Sequence, residues 1–173
     1  MPVIISNASP LIGLCQVDLL NILKELWMGI VIPHAVYKEV VIEGAGKPGS
    51  KMIDQACQDW IKVVAINNRQ EAEVLRAVLD EGEAEVITLG QELNSELLLL
   101  DNKEPRLFAK GVNLRVIGTI GVIKLAWQRG LVKDPISILH RLLQNGFWID
   151  KDIIERIKAE ILEKSASFIN DQK

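Results

Sequence analysis

Cysteine, histidine and ring-bearing side chains are all scarce in this chain, and each scarcity narrows what it can be. The two cysteines, Cys15 and Cys57, and the two histidines, His34 and His140, stand apart without metal-ligand spacing. Cys15 and Cys57 lie in apolar helical patterns, so buried, reduced thiols and a cytoplasmic location are expected. Each histidine sits singly in a helical pattern, as a surface or core residue does. The four tryptophans are scattered and build no stacking platform for bases. Neither sign of charge prevails: 20 basic against 23 acidic residues leave a net charge of −3. Such a chain does not coat itself with nucleic acid by charge alone, although an enzyme that holds phosphates through a metal remains open. Long apolar runs are missing too. None approaches the ~18–20 residues that cross a bilayer, and MPVIISNASPLIG carries neither a basic n-region nor a signal cleavage site.

What the chain does have is core-forming material. Its 173 residues, 49% of them hydrophobic, suffice for one domain with a real core. Short, nearly all-apolar runs recur at Val3–Ile5, Ile30–Ile32, Ile61–Ile66, Leu97–Leu100 and Arg115–Ile117, as in strands covered on both faces. Helical patterns lie between them: around Leu11–Leu14, then Asp18–Trp27, a helix opening at Pro33 and stopping at Gly44, Gly49–Trp60, Arg69–Leu79, Gly82–Leu93, Glu104–Lys110 and Thr119–Arg129. This alternation predicts an α/β fold, a three-layer α/β/α sandwich around a parallel, Rossmann-like sheet. Pro135–Asn145, and a helix from Asp150 to about Glu163 with Ile153, Ile154, Ile157 and Ile161 on one face, predict an appended C-terminal helical hairpin. The expected division is 1–132 for the catalytic part, 133–164 for the hairpin and 165–173 for a flexible tail.

In such sheets, chemistry collects beyond the carboxyl ends of the strands. Asn7 and Ser9 follow the first strand, Glu39 lies on the helix after the second, Glu83 opens the helix over Gly82–Leu93, and Asp101 and Asn102 close the leucine strand. Four segments thus bring oxygen-bearing side chains toward one sheet edge, the set a hard divalent cation takes; softer metals would need histidine or cysteine. Each residue also has a plainer reading. Asn7 could make an Asx turn, Ser9 a helix start, Glu39 a solvated surface acid and Asp101 a helix cap. Glu81 and Glu85 are read as acids favoured at a helix N-terminus. Lys103, Arg106 and Lys110 would share one helix face, which could hold a phosphate backbone or simply face water.

Five stretches, in order and sensibly spaced, resemble the PIN-domain nucleases, in particular a VapC-related prokaryotic subfamily: ISNASPLIGL, VIPHAVYKEV, LDEGEAEVITLGQEL, LLLLDNKEPRLFAKG and VIGTIGVIKLAWQRG. The resemblance covers about Val3 to Gly130, and the C-terminal hairpin suits it. It implies a PIN-like sheet and a Mg²⁺- or Mn²⁺-dependent ribonuclease. The family's first aspartate falls on Asn7, its helix glutamate on Glu39, its third acid on Glu83, its fourth on Asp101, and a frequent following aspartate on Asn102. Ser9 matches a small hydroxyl residue that lines such sites. An amide at Asn7 keeps an oxygen ligand and removes a charge, so weaker metal binding is expected.

The leading expectation is hydrolysis of single-stranded RNA, with Asn7, Glu39, Glu83, Asp101 and Asn102 holding metal and with Ser9, Lys103 and Arg106 contacting substrate. The resemblance also implies toxin–antitoxin membership, a small antitoxin partner and a homodimer. A degenerate PIN domain that binds nucleic acid or protein without cutting is the alternative, favoured by the amides at Asn7 and Asn102. A metal-dependent phosphatase or nucleotide hydrolase is a third reading, which the want of a P-loop lysine disfavours.

Overall fold

A computed structural model describes residues 1–170. The chain divides into two compact units, Met1–Val122 and a second beginning at Ile123. The sequence-derived boundary at 132/133 therefore falls within the second unit.

The first unit is an α/β fold. Its strands are β1 (Ile4–Ser6), β2 (Ile30–Pro33), β3 (Ile61–Val64), β4 (Leu97–Leu99) and β5 (Val116–Ile117). They form one parallel sheet in the order β3-β2-β1-β4-β5, with Ile5 opposite both Val31 and Leu98. Helices flank it: α1 (Ala8–Gln16), α2 (Ile22–Trp27), α3 (His34–Tyr37), α4 (Ser50–Cys57), α5 (Arg69–Leu75), α6 (Glu81–Glu92), α7 (Lys103–Gly111) and the start of α8 (Thr119–Gln128). The central strands are apolar because both faces are covered: Ile4, Ile5, Ile32, Leu98 and Leu99 are all buried. β1 sits mid-sheet, so the residues just after it stand between the ends of β2 and β4.

Several boundaries differ from the sequence reading for local reasons. The second helix begins at Ile22 rather than Asp18, because Asp18 takes a left-handed conformation (φ 59°) that no helix continues through. Pro33 ends β2 opposite Val64 instead of opening α3; its ψ of 164° keeps it extended. The helix expected to run on to Gly44 changes winding after Tyr37, and Lys38–Ile42 forms a π-helical turn. β3 stops at Val64, which frees Ala65 and Ile66 from the sheet.

In the second unit, α9 (Pro135–Gln144) and α10 (Lys151–Asn170) are both helical, with Asp134 accepting from the Ser137 N–H at the start of α9. Leu139, Leu142, Ile154 and Ile157 are buried. Lys124 pairs with Glu160 at 2.8 Å, and the Lys164 ammonium stands 4.7 Å from the Trp127 ring centroid. The expected tail from Ser165 is instead helical as far as Asn170. Nothing between Ser165 and Asn170 is glycine or proline, and the Ser167 hydroxyl donates back to the Lys164 carbonyl. Residues 171–173 of that expected tail lie outside the described ones.

Candidate active site

The carboxyl ends of β1 and β4 lie side by side, and the Asn7 N–H donates to the Leu99 carbonyl at 3.0 Å. Asn7 occupies the cap position of α1, yet its side chain makes no capping bond. Its Oδ1 is buried and has no hydrogen-bond partner. The plain turn reading of Asn7 would have spent that oxygen on a local N–H. A buried, unpaired amide oxygen costs about 1–3 kcal/mol, so this atom marks a place where a ligand would be gained.

The direction of that oxygen is read from Gly82. A Cβ there would stand 3.0 Å from Asn7 Oδ1 and 3.3 Å from Glu39 Oε2 and from Val36 Cγ2. Two oxygens from distant segments therefore converge on the bare face of α6. Glu39 lies in the π-helical turn, whose wider winding shifts side-chain directions relative to an α-helix. Much of Glu39 is exposed, but its carboxyl turns inward, and its pKa is raised. Burial is the main cause, followed by the carboxylates of Asp80, Glu43 and Glu83; Lys47, on the Gly44–Ser50 loop, opposes them.

Glu83 is buried and already engaged. Asp80 Oδ1 accepts the Glu83 N–H at 2.7 Å, and Glu83 Oε2 accepts the Asp80 N–H at 3.3 Å, a capping box that starts α6. Glu83 Oε1 accepts from Asn102 Nδ2 at 2.7 Å. Asn102 therefore tethers Glu83 to the end of β4 and makes no capping bond of its own for α7.

Asp101 is the most heavily bonded acid of this site. Its Oδ1 accepts the Thr119 N–H at 2.7 Å, and its Oδ2 accepts both the Thr119 and Ser9 hydroxyls, each at 2.8 Å. The cap reading of Asp101 thus holds in a form that local sequence does not reveal: it caps α8, eighteen residues on, and not α7. Thr119, fully buried, belongs to this cluster and escaped the sequence reading. Its available signal was the hydroxyl in GTIG, just past β5. Arg106 Nη1 donates to the Leu100 carbonyl at 3.0 Å. Gly118 leaves room for both groups, since a Cβ there would lie 2.8 Å from Asp101 Oδ1 and 2.9 Å from Arg106 Nη1. Arg106 thus holds the end of β4, while Lys103 and Lys110 are exposed.

Glu81 and Glu85 divide. Glu85 Oε2 accepts the Ala35 N–H at 3.0 Å, clasping the start of α3, so its role exceeds the dipole reading; Glu81 is exposed. His34 and His140 are exposed. Cys15 and Cys57 are free thiols with pKa pushed up to about 11, by burial first and then by a nearby aspartate each, Asp18 and Asp54. The loop GAGKPG at Gly44–Gly49 has dinucleotide-fingerprint spacing but follows a helix rather than a strand, so it lacks the context that gives the motif its function.

Three linked groups of oxygens therefore line one sheet edge: Asn7 with Glu39, Glu83 with Asn102, and Asp101 with Ser9 and Thr119. A model of the PIN domain matches residues 3–163. The chain belongs to the PIN-domain family. No curated protein matches it at a meaningful level. PIN domains typically bind divalent metals, and this one has the chemistry for a hard cation, oxygen donors alone with one buried and unspent. Its acids are nonetheless spread: among the described residues, no group of three or more acids, histidines or cysteines stands close enough to hold a metal ion. The oxygens at this edge of the PIN domain are of the type a hard cation takes, but Asp101 and Glu83 are engaged by protein donors and Asn7 is neutral.

Proposed function

We propose that this PIN domain is a Mg²⁺- or Mn²⁺-dependent endoribonuclease of the VapC-related kind, cutting single-stranded RNA as the toxin of a toxin–antitoxin pair. The observation that carries the reading is the buried, unpartnered Asn7 Oδ1 converging with Glu39 on the face of Gly82. Asn7 and Glu39 would hold the ion, with Glu83, Asp101 and Asn102 around them. A divalent ion held there would supply a water of lowered pKa and a counter-charge for the phosphoryl oxygens. The chain's own residues do the rest. Glu39 supplies the least engaged carboxylate, Asn102 orients Glu83, and Ser9 and Thr119 hold the Asp101 carboxylate in place. Lys103, exposed beside Asp101, positions the RNA backbone, with Arg106 behind it.

The test is cleavage of single-stranded RNA in Mn²⁺ or Mg²⁺, paired with calorimetric Mn²⁺ titration. Cleavage that is lost in Glu39→Gln, and in an Asp101→Ala, Glu83→Ala double variant, supports the reading. Unchanged cleavage in these variants refutes it. A small antitoxin, a homodimer and a cytoplasmic location belong to the same proposal, and a small neighbouring reading frame whose product co-purifies would support the pair. No helix of the described residues is long and apolar enough to cross a membrane.

A second reading is a PIN domain that binds without cutting. The full complement of donors on Asp101 favours it, together with the amides at Asn7 and Asn102. It predicts no Mn²⁺ uptake at millimolar metal.

A further inference from the structure

Along the same sheet edge, on the other side of β2, lies a cavity of about 440 Å³. Ala65, Ile66 and Ala72 give it apolar wall, while Arg69, Arg76, Glu73, Glu81 and Glu85 are its charged groups, with His34 also in its lining. Its position comes from the topology. β3 and β2 stand beside β1 in the sheet, and Ala65 and Ile66 are the residues that β3 releases when it stops at Val64. At about 4.8 Å per strand, β3 is roughly 10 Å from the strand that delivers Asn7. One helix serves both places. On α6, Glu81 and Glu85 share a face, and Glu83, two residues from each, points the opposite way, toward Asn102.

The charges in the cavity are not equally free. Arg76 is paired with Glu73 at 2.9 Å, and Glu85 accepts the Ala35 N–H. Among the described residues, Arg69 and Glu81 enter no ion pair and no side-chain hydrogen bond, and both are exposed to an incoming group. A carboxylate only accepts and a guanidinium only donates. A ligand that satisfies both must offer adjacent N–H donors on one side, acceptors on another, and a flat apolar face between. Guanine has that layout: its ring N–H and exocyclic amine can meet one carboxylate, while its O6 and N7 are the atoms that arginine reads in pairs. Adenine has no ring N–H beside its amine, and uracil has no amine.

We propose that this cavity is a guanine-recognition subsite for single-stranded RNA, in which Glu81 takes the donor edge of the base and Arg69 its O6/N7 edge, flanking the cleavage centre. Unstacked bases of single strands are read in this way, by their edges and against apolar or planar side chains. The subsite rests on the ribonuclease reading for its biological sense, but its binding can be measured apart from cleavage.

The experiment uses the full chain and labelled uridine oligonucleotides carrying one central guanosine, inosine or adenosine. Binding is read by fluorescence anisotropy in EDTA, and cleavage is read separately in Mn²⁺. The guanosine oligonucleotide should bind at least about tenfold more tightly than the adenosine one, with inosine, which lacks the exocyclic amine, between them. Glu81→Ala should erase the preference while leaving binding of the adenosine oligonucleotide unchanged, and Arg69→Ala should weaken guanosine binding as well. In Mn²⁺, cuts should fall at one fixed distance from the guanosine. Guanosine monophosphate that competes shows the pocket takes the nucleotide itself; selectivity that survives the competitor assigns it to a base carried by a strand. Equal binding of all three oligonucleotides, or a preference that persists in Glu81→Ala, overturns the subsite even if RNA is cut. Selective binding without any cleavage upholds the subsite and removes the nuclease reading instead.

Discussion

Gly82→Ala separates the site from the fold more cleanly than removal of any acid. Two residues into α6, alanine is worth up to about 1 kcal/mol over glycine in helix propensity. The added methyl would meet Asn7 Oδ1 at 3.0 Å and Glu39 Oε2 at 3.3 Å, tighter than ordinary contact by a few tenths of an ångström. Glu39 can swing outward because much of it is exposed. Asn7 cannot, since it is buried and its N–H is bonded to the Leu99 carbonyl. Mild overpacking costs about 1 kcal/mol at the lower end, so the two effects nearly cancel. Urea unfolding should show a stability within about 1 kcal/mol of wild type, a midpoint shift under about 1 M at ordinary slopes. Divalent ligands tolerate little displacement, Mg²⁺ least of all, with oxygen contacts near 2.1 Å. Displacing Glu39 Oε2 and crowding Asn7 Oδ1 with a methyl should therefore weaken Mn²⁺ binding at least about tenfold, or about 1.4 kcal/mol, in calorimetric titration. A variant that folds normally and binds Mn²⁺ as tightly as wild type would refute the claim that Asn7 and Glu39 jointly form the cation's seat.

Glu39→Gln should stabilise the protein at pH 7. The folded-state pKa of Glu39 is raised, so the folded chain binds its proton more tightly than the unfolded chain does, and stability is lost as pH rises through the window upward from the usual glutamate value. The advantage of the glutamine should vanish in acid, which urea titrations at pH 4 and pH 7 would check. Thr119→Val keeps shape but removes one of three donors to Asp101, and should cost about 1–3 kcal/mol in the same assay; an effect near zero would mean Asp101 is satisfied without it. Cys15 and Cys57, with thiol pKa values of about 11, should react with disulfide reagents at pH 8 far more slowly in the native protein than in urea.

Much of the fold was legible because its signals are local. Five apolar runs alternating with helical patterns predict a parallel sheet, and all five runs became its strands. Boundaries slipped where one residue's backbone overrode the pattern, as at Asp18, or where partners across the sheet kept a residue extended, as at Pro33. The π-helical turn under Glu39 left no mark in composition or periodicity. The tail expected from Ser165 is helical as far as Asn170, since no glycine or proline there breaks the helix.

The site divides along the same line. Residue types and spacing by themselves determined which oxygens could reach the edge: Asn7, Ser9, Glu39, Glu83, Asp101 and Asn102 follow strands or open helices, and chain order in an α/β sheet carries such positions to its carboxyl end. Only the tertiary structure decided which of those oxygens are already spent. Ser9 and Asp101 are bonded across 92 positions of sequence and Asp101 and Thr119 across 18, while Asn7 Oδ1 is left with none. A side chain's chemistry is set by its identity, but its free valence is set by whichever donors the fold packs against it, and those donors come from segments that no local pattern connects.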